Sequence, residues 1–389
     1  MLTRISNTPR DYAWGSTTLI AALEGREPTG APEAEVWFGD HPGSPSIVHD
    51  GSDSTLDAWL ASHADELRTP TRLPYLLKVL AAGAPLSIQA HPSKAQAEEG
   101  FAREEAAGLP RDGAERNYRD DNHKPELIVA VSDEFRALAG LRDAEATRRL
   151  VAGLGGHAAV RALSAHLETP DAAAGLRAAI AWLLGSASAA EVSEIIDAAV
   201  AATSDEFAAE LELTRALAAA YPGDPGVVVA LLMNLVVLSR GEALFVPAGV
   251  LHAYVAGLGV ELMAASDNVL RGGLTPKHID VSELLGLLDT RPSPPPLLAS
   301  RPVAPGVELF DAGVADFALA AVSVTEGTVS VPFGGVAIAI AVEGIVEVTG
   351  AGGDRLTLQP GQALIATPTE SPLALAGKGL AYVAMPGQG

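Results

Sequence analysis

The stretch PLSIQAHPSK, residues 85–94, places a neutral amide and an imidazole two positions apart. Its alternation predicts a strand, in which residues i and i+2 project from the same face. Gln89 and His91 therefore point together, opposite the apolar residues Ile88 and Ala90. A proline follows His91 and favours extended geometry at the end of this strand. An amide oxygen and an imidazole nitrogen aimed one way are both groups that bind metal ions.

Two other stretches carry metal-competent groups in the same alternating context. In VPAGVLHAYV, His252 and Tyr254 share one face, and in DDNHKPELIVAV, Lys124 and Glu126 share one face. A polar cluster inside a small β barrel is costly unless it is paired or bound to a metal. An amide oxygen, two imidazoles and a carboxylate suit Zn²⁺ with an open position, although Mn²⁺, Fe²⁺ and Co²⁺ fit as well. The candidate ligands are Gln89, His91, Glu126 and His252.

A cationic stretch, SDNVLRGGLTPKH, follows the second histidine motif. Arg271 precedes a Gly-Gly pair, which allows the backbone to approach a ligand closely. Thr275 and Pro276 predict an N-cap and first turn for a helix over 276–288. Lys277 would then lie in that first turn, where acids are normally preferred. Its position favours the binding of an anion.

Composition limits the classes of function. The chain has 389 residues, a formal net charge of −22 and no cysteine. This charge argues against nucleic-acid binding and against an anionic membrane surface, and the lack of cysteine excludes disulfides and thiolate chemistry. The N-terminus has no apolar core of signal-peptide length. The apolar run 227–238 is too short to span a bilayer and is interpreted as a buried helix, so we expect a soluble, cytoplasmic protein.

The secondary-structure pattern of the sequence changes along the chain. Short extended segments separated by Gly, Pro and Asp give way to Ala- and Leu-rich helical spacing, and strand patterns then return. A Pro-rich connector over residues 289–302 leads into further alternating runs that contain no histidine, which favours a structural role. Ser93 and Gln96 fit a capping box that opens a helix. We predict a mainly β protein with a catalytic domain over 1–136 and 237–290, a helical insertion over 137–236, and a C-terminal β domain over 291–389.

Long, ordered motifs carry a resemblance to a known family. The segments SIQAHPSKAQAEEGF, AERNYRDDNHKPELIVA and FVPAGVLHAYVAGLGVELMAASDNVLRGGLTPKHID resemble the hallmark segments of type I mannose-6-phosphate isomerases. RDYAWGS and EVWFGDHPGSPS are similar to the opening of that family, so the resemblance covers about residues 7–285, with a weak match in the helical insertion. It implies a cupin-type jelly-roll catalytic domain, an all-α inserted domain and a smaller cupin-like C-terminal domain. It also implies one zinc per chain, held by the four candidate ligands, and an active-site arginine at Arg271.

The implied reaction interconverts mannose 6-phosphate and fructose 6-phosphate, and it feeds mannose and GDP-mannose metabolism. Proton transfer between C1 and C2 through an enediol needs a base, a stabiliser for the carbonyl oxygen and an anchor for the phosphate. We expect catalytic roles for Arg271 and Lys124. The base stays open among Lys124, Lys78, Glu261, Asp267 and His252. The expected substrate contacts are Ser87, Lys78, Lys277, Tyr254, Glu261 and Asp267.

Other functions fit these residues less well. A cupin dioxygenase would use two histidines and one carboxylate around iron, but an amide ligand and the cations Arg271 and Lys277 fit a phosphosugar better. A non-catalytic sugar sensor would need the pocket without proton-transfer groups. A fused nucleotidyltransferase would need a Gly-rich nucleotide-binding segment. The remaining motif histidines His41 and His123 are interpreted as structural. The expected partner is a small phosphosugar, with no nucleic acid or membrane, and the chain is expected to be a monomer, with a weak dimer as the alternative.

Overall fold

The computed structural model describes residues 1–67 and 69–388 and confirms a mainly β chain with a helical insertion. Its strands are β1 (Leu2–Ser6), β2 (Glu35–Phe38), β3 (Ile47–Val48), β4 (Tyr75–Ala82), β5 (Ile88–Ala90), β6 (Glu126–Ala130), β7 (Glu134–Leu141), β8 (Met233–Ser239), β9 (Ala243–Val246), β10 (His252–Ala264), β11 (Leu270–Gly273), β12 (Arg301–Ala304), β13 (Val307–Phe310), β14 (Ala318–Val324), β15 (Thr328–Val331), β16 (Ala337–Thr349), β17 (Arg355–Leu358), β18 (Ala363–Ala366) and β19 (Leu373–Met385). Its helices are α1 (Leu19–Leu23), α2 (Leu56–Leu67), α3 (Lys94–Ala106), α4 (Ala144–Ala152), α5 (Ala158–Leu167), α6 (Ala172–Ala181), α7 (Ala189–Ala201), α8 (Ala208–Ala220), α9 (Gly226–Leu231) and α10 (Val281–Leu287). A π-helical turn, Trp182–Ser186, follows α6, and a 3-10 turn spans Pro368–Glu370.

Strand β10 is the centre of the first sheet. Its second half pairs with β4 and β6, and its first half pairs with β5 and β7, so one strand connects opposite sides of a rolled sheet. Side chains alternate along these strands. The register partners Lys78 and Glu261 face the interior, whereas Val79 and Val260 pack on the other face. The inner face can therefore carry a site while the outer face is buried against a second layer.

That second layer is the C-terminal sheet, β12 to β19, which is completed by β1 and β3. The predicted domain division places β1 in the catalytic domain, but this strand pairs with β18, with Ile5 buried between the two sheets and Leu2 in the C-terminal core. Alternation in the sequence predicts such a strand but does not identify its partner. The domain boundaries as a whole stay a prediction.

The helical insertion packs on the outside of the first sheet. Helices α4 to α9 bury their apolar faces against side chains that alternate outward from β5 and β10, such as Ile88 and Ala253. Its helices begin after β7, which extends to Leu141, and end before β8. No helix in residues 1–67 and 69–388 combines the length and apolarity that crossing a bilayer requires.

The predicted capping box at the start of α3 is confirmed. The Ser93 side chain accepts the backbone N–H of Gln96, and the Gln96 side chain accepts the backbone N–H of Ser93. By contrast, the run 227–238 is not one buried helix, because α9 ends at Leu231 and the following residues form β8 beside β7. Pairing with β7 outweighs the helical tendency of the apolar run, a tertiary effect that composition does not show.

The helix predicted over 276–288 also begins later than expected. Asp280 is the N-cap of α10, and Lys277 lies in the irregular segment before it, so Thr275 is not a helix cap. The backbone N–H of Thr275 is instead bound by the carboxylate of Asp224, a residue of the helical insertion. A bond between residues so distant in the chain is invisible to local capping rules.

Candidate metal centre and active site

Three buried side chains converge where β5, β6 and β10 meet. His91 directly follows β5, Glu126 opens β6 and His252 opens β10. The Nε2 atom of His91 lies 3.2 Å from Oε1 of Glu126, and Nε2 of His252 lies 3.2 Å from Oε2 of the same carboxylate. One ligand atom from each residue lies within 4.8 Å of the others. We call these three residues the ligand cluster.

The other ring nitrogens fix the tautomers of the two histidines. Nδ1 of His91 lies 2.7 Å from the carbonyl of Asn268, and Nδ1 of His252 lies 3.1 Å from the carbonyl of Val250. A carbonyl only accepts, so each Nδ1 carries a proton, and in the neutral ring each Nε2 presents a lone pair. Neither Nε2 atom has a hydrogen-bond partner in the described part of the chain. Burial, with the charge of Lys124, lowers the pKa of His91 to about 4, which keeps this ring neutral.

Glu126 supplies the negative charge of the cluster. Burial opposes that charge, but the neighbouring charge of Lys124 holds the pKa of Glu126 well below its ordinary value. The Nζ atom of Lys124 lies 2.9 Å from Oε1 of Glu126. Two imidazole lone pairs that face an ionised carboxylate repel it unless a cation lies between them. The residues of the cluster therefore fit a divalent metal ion.

Gln89 lies beside the cluster on the same face of the sheet. In β5 it pairs with His252 of β10 on one side and with Arg271 of β11 on the other. Directly opposed residues in an antiparallel pair project to the same side. Gln89 and Arg271 both line the cavity next to the cluster, so the expectation that Gln89 is the fourth ligand stays compatible with the fold.

A cavity of about 520 Å³ opens in front of Glu126. His91 and His252 are fully buried behind it. The other sequence-predicted site residues line this cavity together with Glu126, and they come from separate segments of the chain: Lys78, Ser87, Gln89, Lys124, Tyr254, Glu261, Asp267, Arg271 and Lys277. The structure thus brings all of the predicted site residues together.

One side of the cavity is positively charged. Burial lowers the pKa of Arg271, and the neighbouring Arg119 lowers it further. Burial, Arg271 and Arg119 together lower the pKa of Lys277. Among the described residues, no carboxylate raises either pKa, although the chain carries a net charge of −22. We call Arg119, Arg271 and Lys277 the cationic rim, and uncompensated positive charge of this kind suits an anionic ligand.

Buried acids and a buried lysine line another part of the cavity. Nζ of Lys78 lies 2.9 Å from Oε2 of Glu261 and 3.4 Å from Oε1 of Glu35. Burial alone would lower the pKa of Lys78, but Glu261 and Glu35 raise it, so the amine stays protonated. Burial raises the pKa of Glu261, which Lys78 partly opposes. The hydroxyl of Tyr254 lies 3.4 Å from Oε2 of Glu126, and its pKa is raised by burial and by Glu126.

Asp267 and the two remaining motif histidines form ordinary polar contacts. Nε2 of His41 lies 3.1 Å from both carboxylate oxygens of Asp267. Burial opposes ionisation of Asp267, but His41 lowers its pKa. His123 points away from the cavity and lies 2.8 Å from Asp316 of the C-terminal domain. These contacts agree with the structural interpretation of His41 and His123.

Comparisons with known proteins place this site in a family. A family model described as phosphomannose isomerase type I, catalytic domain, matches residues 2–144. The mannose-6-phosphate isomerase of Escherichia coli K12 is 37% identical over 388 residues, covering 97% of each chain. The chain belongs to the mannose-6-phosphate isomerase family. The family member from Homo sapiens is 33% identical over 321 residues, which cover 74% of this chain and 73% of that relative.

Solved structures of the family also superpose along the whole chain. The crystal structure of mannose 6-phosphate isomerase from Salmonella typhimurium bound to the substrate fructose 6-phosphate and zinc has a TM-score of 0.88 at 34% identity, and the match covers 99% of both chains. A crystal structure of a mannose 6-phosphate isomerase bound with zinc and yttrium gives the same TM-score and identity. The expected resemblance and the cupin-type fold are therefore confirmed, and the family supports an isomerase over a dioxygenase.

Sequence reasoning missed several residues that lie in or next to the lining of the cavity. Arg119 completes the cationic rim from an irregular segment, where no alternation marks the direction of a side chain. Glu35 was missed because its alternating neighbour Trp37 is typical of an apolar strand face; the Trp37 indole in fact donates to Glu35 over 2.9 Å. Tyr221 lines the cavity from the helical insertion, which sequence alone did not connect with the site.

Proposed function

We propose that this chain is a zinc-dependent aldose–ketose isomerase that interconverts mannose 6-phosphate and fructose 6-phosphate through an enediol. The observation that carries the proposal is that Glu126 of the ligand cluster and Arg271 and Lys277 of the cationic rim line one cavity. An isomerase of a phosphosugar needs both features, one for the oxygens at C1 and C2 and one for the phosphate. The Salmonella relative, which binds fructose 6-phosphate and zinc, supports the same substrate and metal.

His91, Glu126 and His252 would hold the zinc, with Gln89 as the proposed fourth ligand. When bound, zinc supplies a Lewis acid that polarises the sugar oxygens. The chain contributes the surroundings that orient the ligands. The carbonyl of Asn268 holds the ring of His91, and the side chain of Asn268 is itself anchored 2.8 Å from the carbonyls of Asp120 and Asn122.

The cationic rim would bind the phosphate. Among the described residues, no carboxylate raises the pKa of Arg271 or of Lys277, so a dianion adds favourable interactions here without breaking existing ones. Ser87 lines the same cavity directly before β5 and can donate its hydroxyl. Lys78 is a weaker candidate for this contact, because Glu261 and Glu35 already engage its amine.

Arg271 would stabilise the charge that develops on the sugar oxygen. Its register position beside Gln89 places it next to the ligand cluster, whereas Lys277 lines the cavity from the irregular segment before α10. The guanidinium keeps its charge although burial lowers its pKa, because an arginine titrates far above neutral pH. A fixed cation near the reacting oxygen lowers the barrier more than an equivalent charge in water would.

The surroundings of each candidate residue narrow the choice of the base that transfers the proton. Lys78 stays protonated, and His252 has one nitrogen on a carbonyl and the other in the ligand cluster. The lowered pKa of Asp267 makes that carboxylate a weak base. Glu261 and Lys124 remain as the candidates that move the proton between C1 and C2, and Lys124 would act only after it gives up the proton that its contact with Glu126 stabilises. The proposal also places the enzyme in mannose and GDP-mannose metabolism, while its cytoplasmic location and monomeric state stay predictions.

The decisive experiment measures the conversion of mannose 6-phosphate in D₂O by the zinc-loaded protein, with mannose as the control substrate. We expect conversion of the phosphosugar alone, with deuterium entering at the transferred position over many turnovers, because an enediol exposes that proton to exchange. Product without deuterium would contradict the enediol, and no conversion at all would contradict the proposed function. Lys124→Met and Glu261→Gln variants identify the base, since the variant that lacks it loses the deuterium exchange.

A further inference from the structure

The end of the helical insertion touches the cavity wall that carries Lys277. Residues 274–277 line the cavity, and Tyr221 of the insertion lines it beside them. Asp224 lies three residues after Tyr221, in the turn between α8 and α9. Its carboxylate contacts the backbone of the wall rather than the cavity itself.

Asp224 binds the backbone of two consecutive wall residues. Its Oδ1 atom accepts the N–H groups of Gly226 over 2.7 Å and Leu274 over 3.0 Å, and its Oδ2 atom accepts the N–H of Thr275 over 3.0 Å. Hydrogen bonds to an ionised acceptor are stronger than those between neutral groups. One carboxylate thus satisfies three N–H groups and connects the insertion to the wall.

The wall needs such a support because its backbone is strained. Leu274 has a φ of +54°, a left-handed conformation that an L side chain rarely adopts. Its side chain is buried in the core of the helical insertion. The segments are also in direct contact, since a Cβ added to Gly226 would lie 2.4 Å from the nitrogen of Leu274 and 2.6 Å from Cα of Gly273. Strain of this kind persists where surrounding contacts over-determine it, and it concentrates at functional sites.

The same segment supports the other side of the cavity. The hydroxyl of Tyr221 donates to the carbonyl of Pro85 over 2.7 Å, two residues before Ser87. Residues 221–226 therefore touch the backbone next to Ser87 and the backbone next to Lys277. These are the two places where the proposed function puts phosphate contacts.

We propose that Asp224 is a positioning residue, which holds the strained 274–277 wall so that the cationic rim is pre-organised for the phosphate group. This inference rests on the proposed function for the identity of the ligand. It gives the helical insertion a role in substrate binding that is distinct from covering the site. Without Asp224, the wall relaxes away from the left-handed conformation, and binding of the phosphate then has to order it again.

The test compares Asp224→Ala and the milder Asp224→Asn with Asp197→Ala, which removes an exposed carboxylate elsewhere on the insertion. For Asp224→Ala we expect KM for mannose 6-phosphate and the inhibition constant of inorganic phosphate to rise together about 10-fold. We expect kcat to change by less than about threefold and zinc content to stay the same. Asp224→Asn keeps one acceptor oxygen, so it should show a smaller shift in the same direction. Asp197→Ala should match the parent protein.

Unchanged KM and phosphate inhibition in folded Asp224 variants would overturn the inference. So would a rise in KM that is accompanied by an equal loss of zinc, because the defect would then lie in the ligand cluster. A parent protein without isomerase activity would refute the proposed function instead. In that case, direct titration of inorganic phosphate into the parent and the Asp224→Asn protein still decides whether Asp224 positions an anion site.

Discussion

Each carboxylate oxygen of Glu126 lies beside the Nε2 atom of one histidine. The contact with His252, 3.2 Å from Nε2 to Oε2, is fully buried. The other ring nitrogen of His252 faces a carbonyl and donates to it, so in the neutral ring the atom that faces Glu126 carries a lone pair. Two acceptors at this distance in a buried site repel each other, and a cation between them removes that repulsion. This contact supports a metal ion between Glu126 and His252, whereas the sequence pattern showed only that metal-binding side chains are present.

Replacing His252 by Ala should abolish metal retention. The variant loses one imidazole ligand, so zinc affinity should fall by at least about 100-fold, and activity should fall with it. His123→Ala is the matched control, because His123 contacts Asp316 and not the ligand cluster. Elemental analysis after dialysis checks the result. Full zinc occupancy in the His252 variant would remove this residue from the centre.

Arg271 and Lys277 should differ in their kinetic effect. Arg271→Ala should lower kcat by about 100-fold or more, since it removes a cation next to the reacting oxygens. Lys277→Ala should mainly raise KM, by about 10-fold, because it contributes to the phosphate end of the cavity. Steady-state kinetics with Arg355→Ala, an exposed arginine of the C-terminal domain, as the control checks both. Identical effects of the two cavity variants would contradict the assignment of separate roles.

Lys78→Met should destabilise the fold in a pH-dependent manner. The raised pKa of Lys78 means that its contribution to stability is fully present below about pH 10 and is lost only as the pH rises further. Without its charge, the buried carboxylate of Glu261 loses its cationic partner, and burial then favours its protonated form. We expect a loss of about 3 kcal/mol in the free energy of unfolding at pH 8 and a smaller loss at pH 5. Urea unfolding of the parent and the variant at pH 8 and pH 5 measures this loss of unfolding free energy. An equal loss at the two pH values would count against the buried charge network.

Tyr75→Phe should lower stability without affecting catalysis. The Tyr75 hydroxyl lies 2.8 Å from the carbonyl of Val336 and 3.2 Å from that of Ala384, so it connects β4 to the C-terminal domain. Removing it should cost about 1 kcal/mol of unfolding free energy. Because Tyr75 faces away from the cavity, kcat/KM should stay within about twofold. A large loss of activity at full stability would mean that the C-terminal domain does more than support the catalytic sheet.

Alternation in the sequence pointed to the residues of the ligand cluster and to Gln89 beside them. Gln89, His91, Glu126 and His252 all lie on strands or at their ends, where a period of two fixes the direction of each side chain. The capping box at Ser93 is a local pattern for the same reason. These features depend on neighbours within a few residues.

The structural features that the sequence patterns did not predict depend on contacts between distant segments of the chain. The start of α10 was misplaced because Asp224 binds the wall across the interface with the insertion. The pairing of β1 with β18 was not predicted because the two strands lie at opposite ends of the chain. Arg119 lies in an irregular segment whose course is set by tertiary contacts such as the bond from its N–H to Asn268. Local periodicity contains no information on any of these pairings.

The central claim is that the ligand cluster binds one divalent cation that the reaction requires. The most direct test follows zinc content and mannose 6-phosphate isomerase activity in the same samples during chelation and then during zinc titration. We predict that both disappear together, that both return together, and that activity saturates at one zinc per chain. Full activity in protein that holds less than about one tenth of an equivalent of any divalent metal would contradict the account.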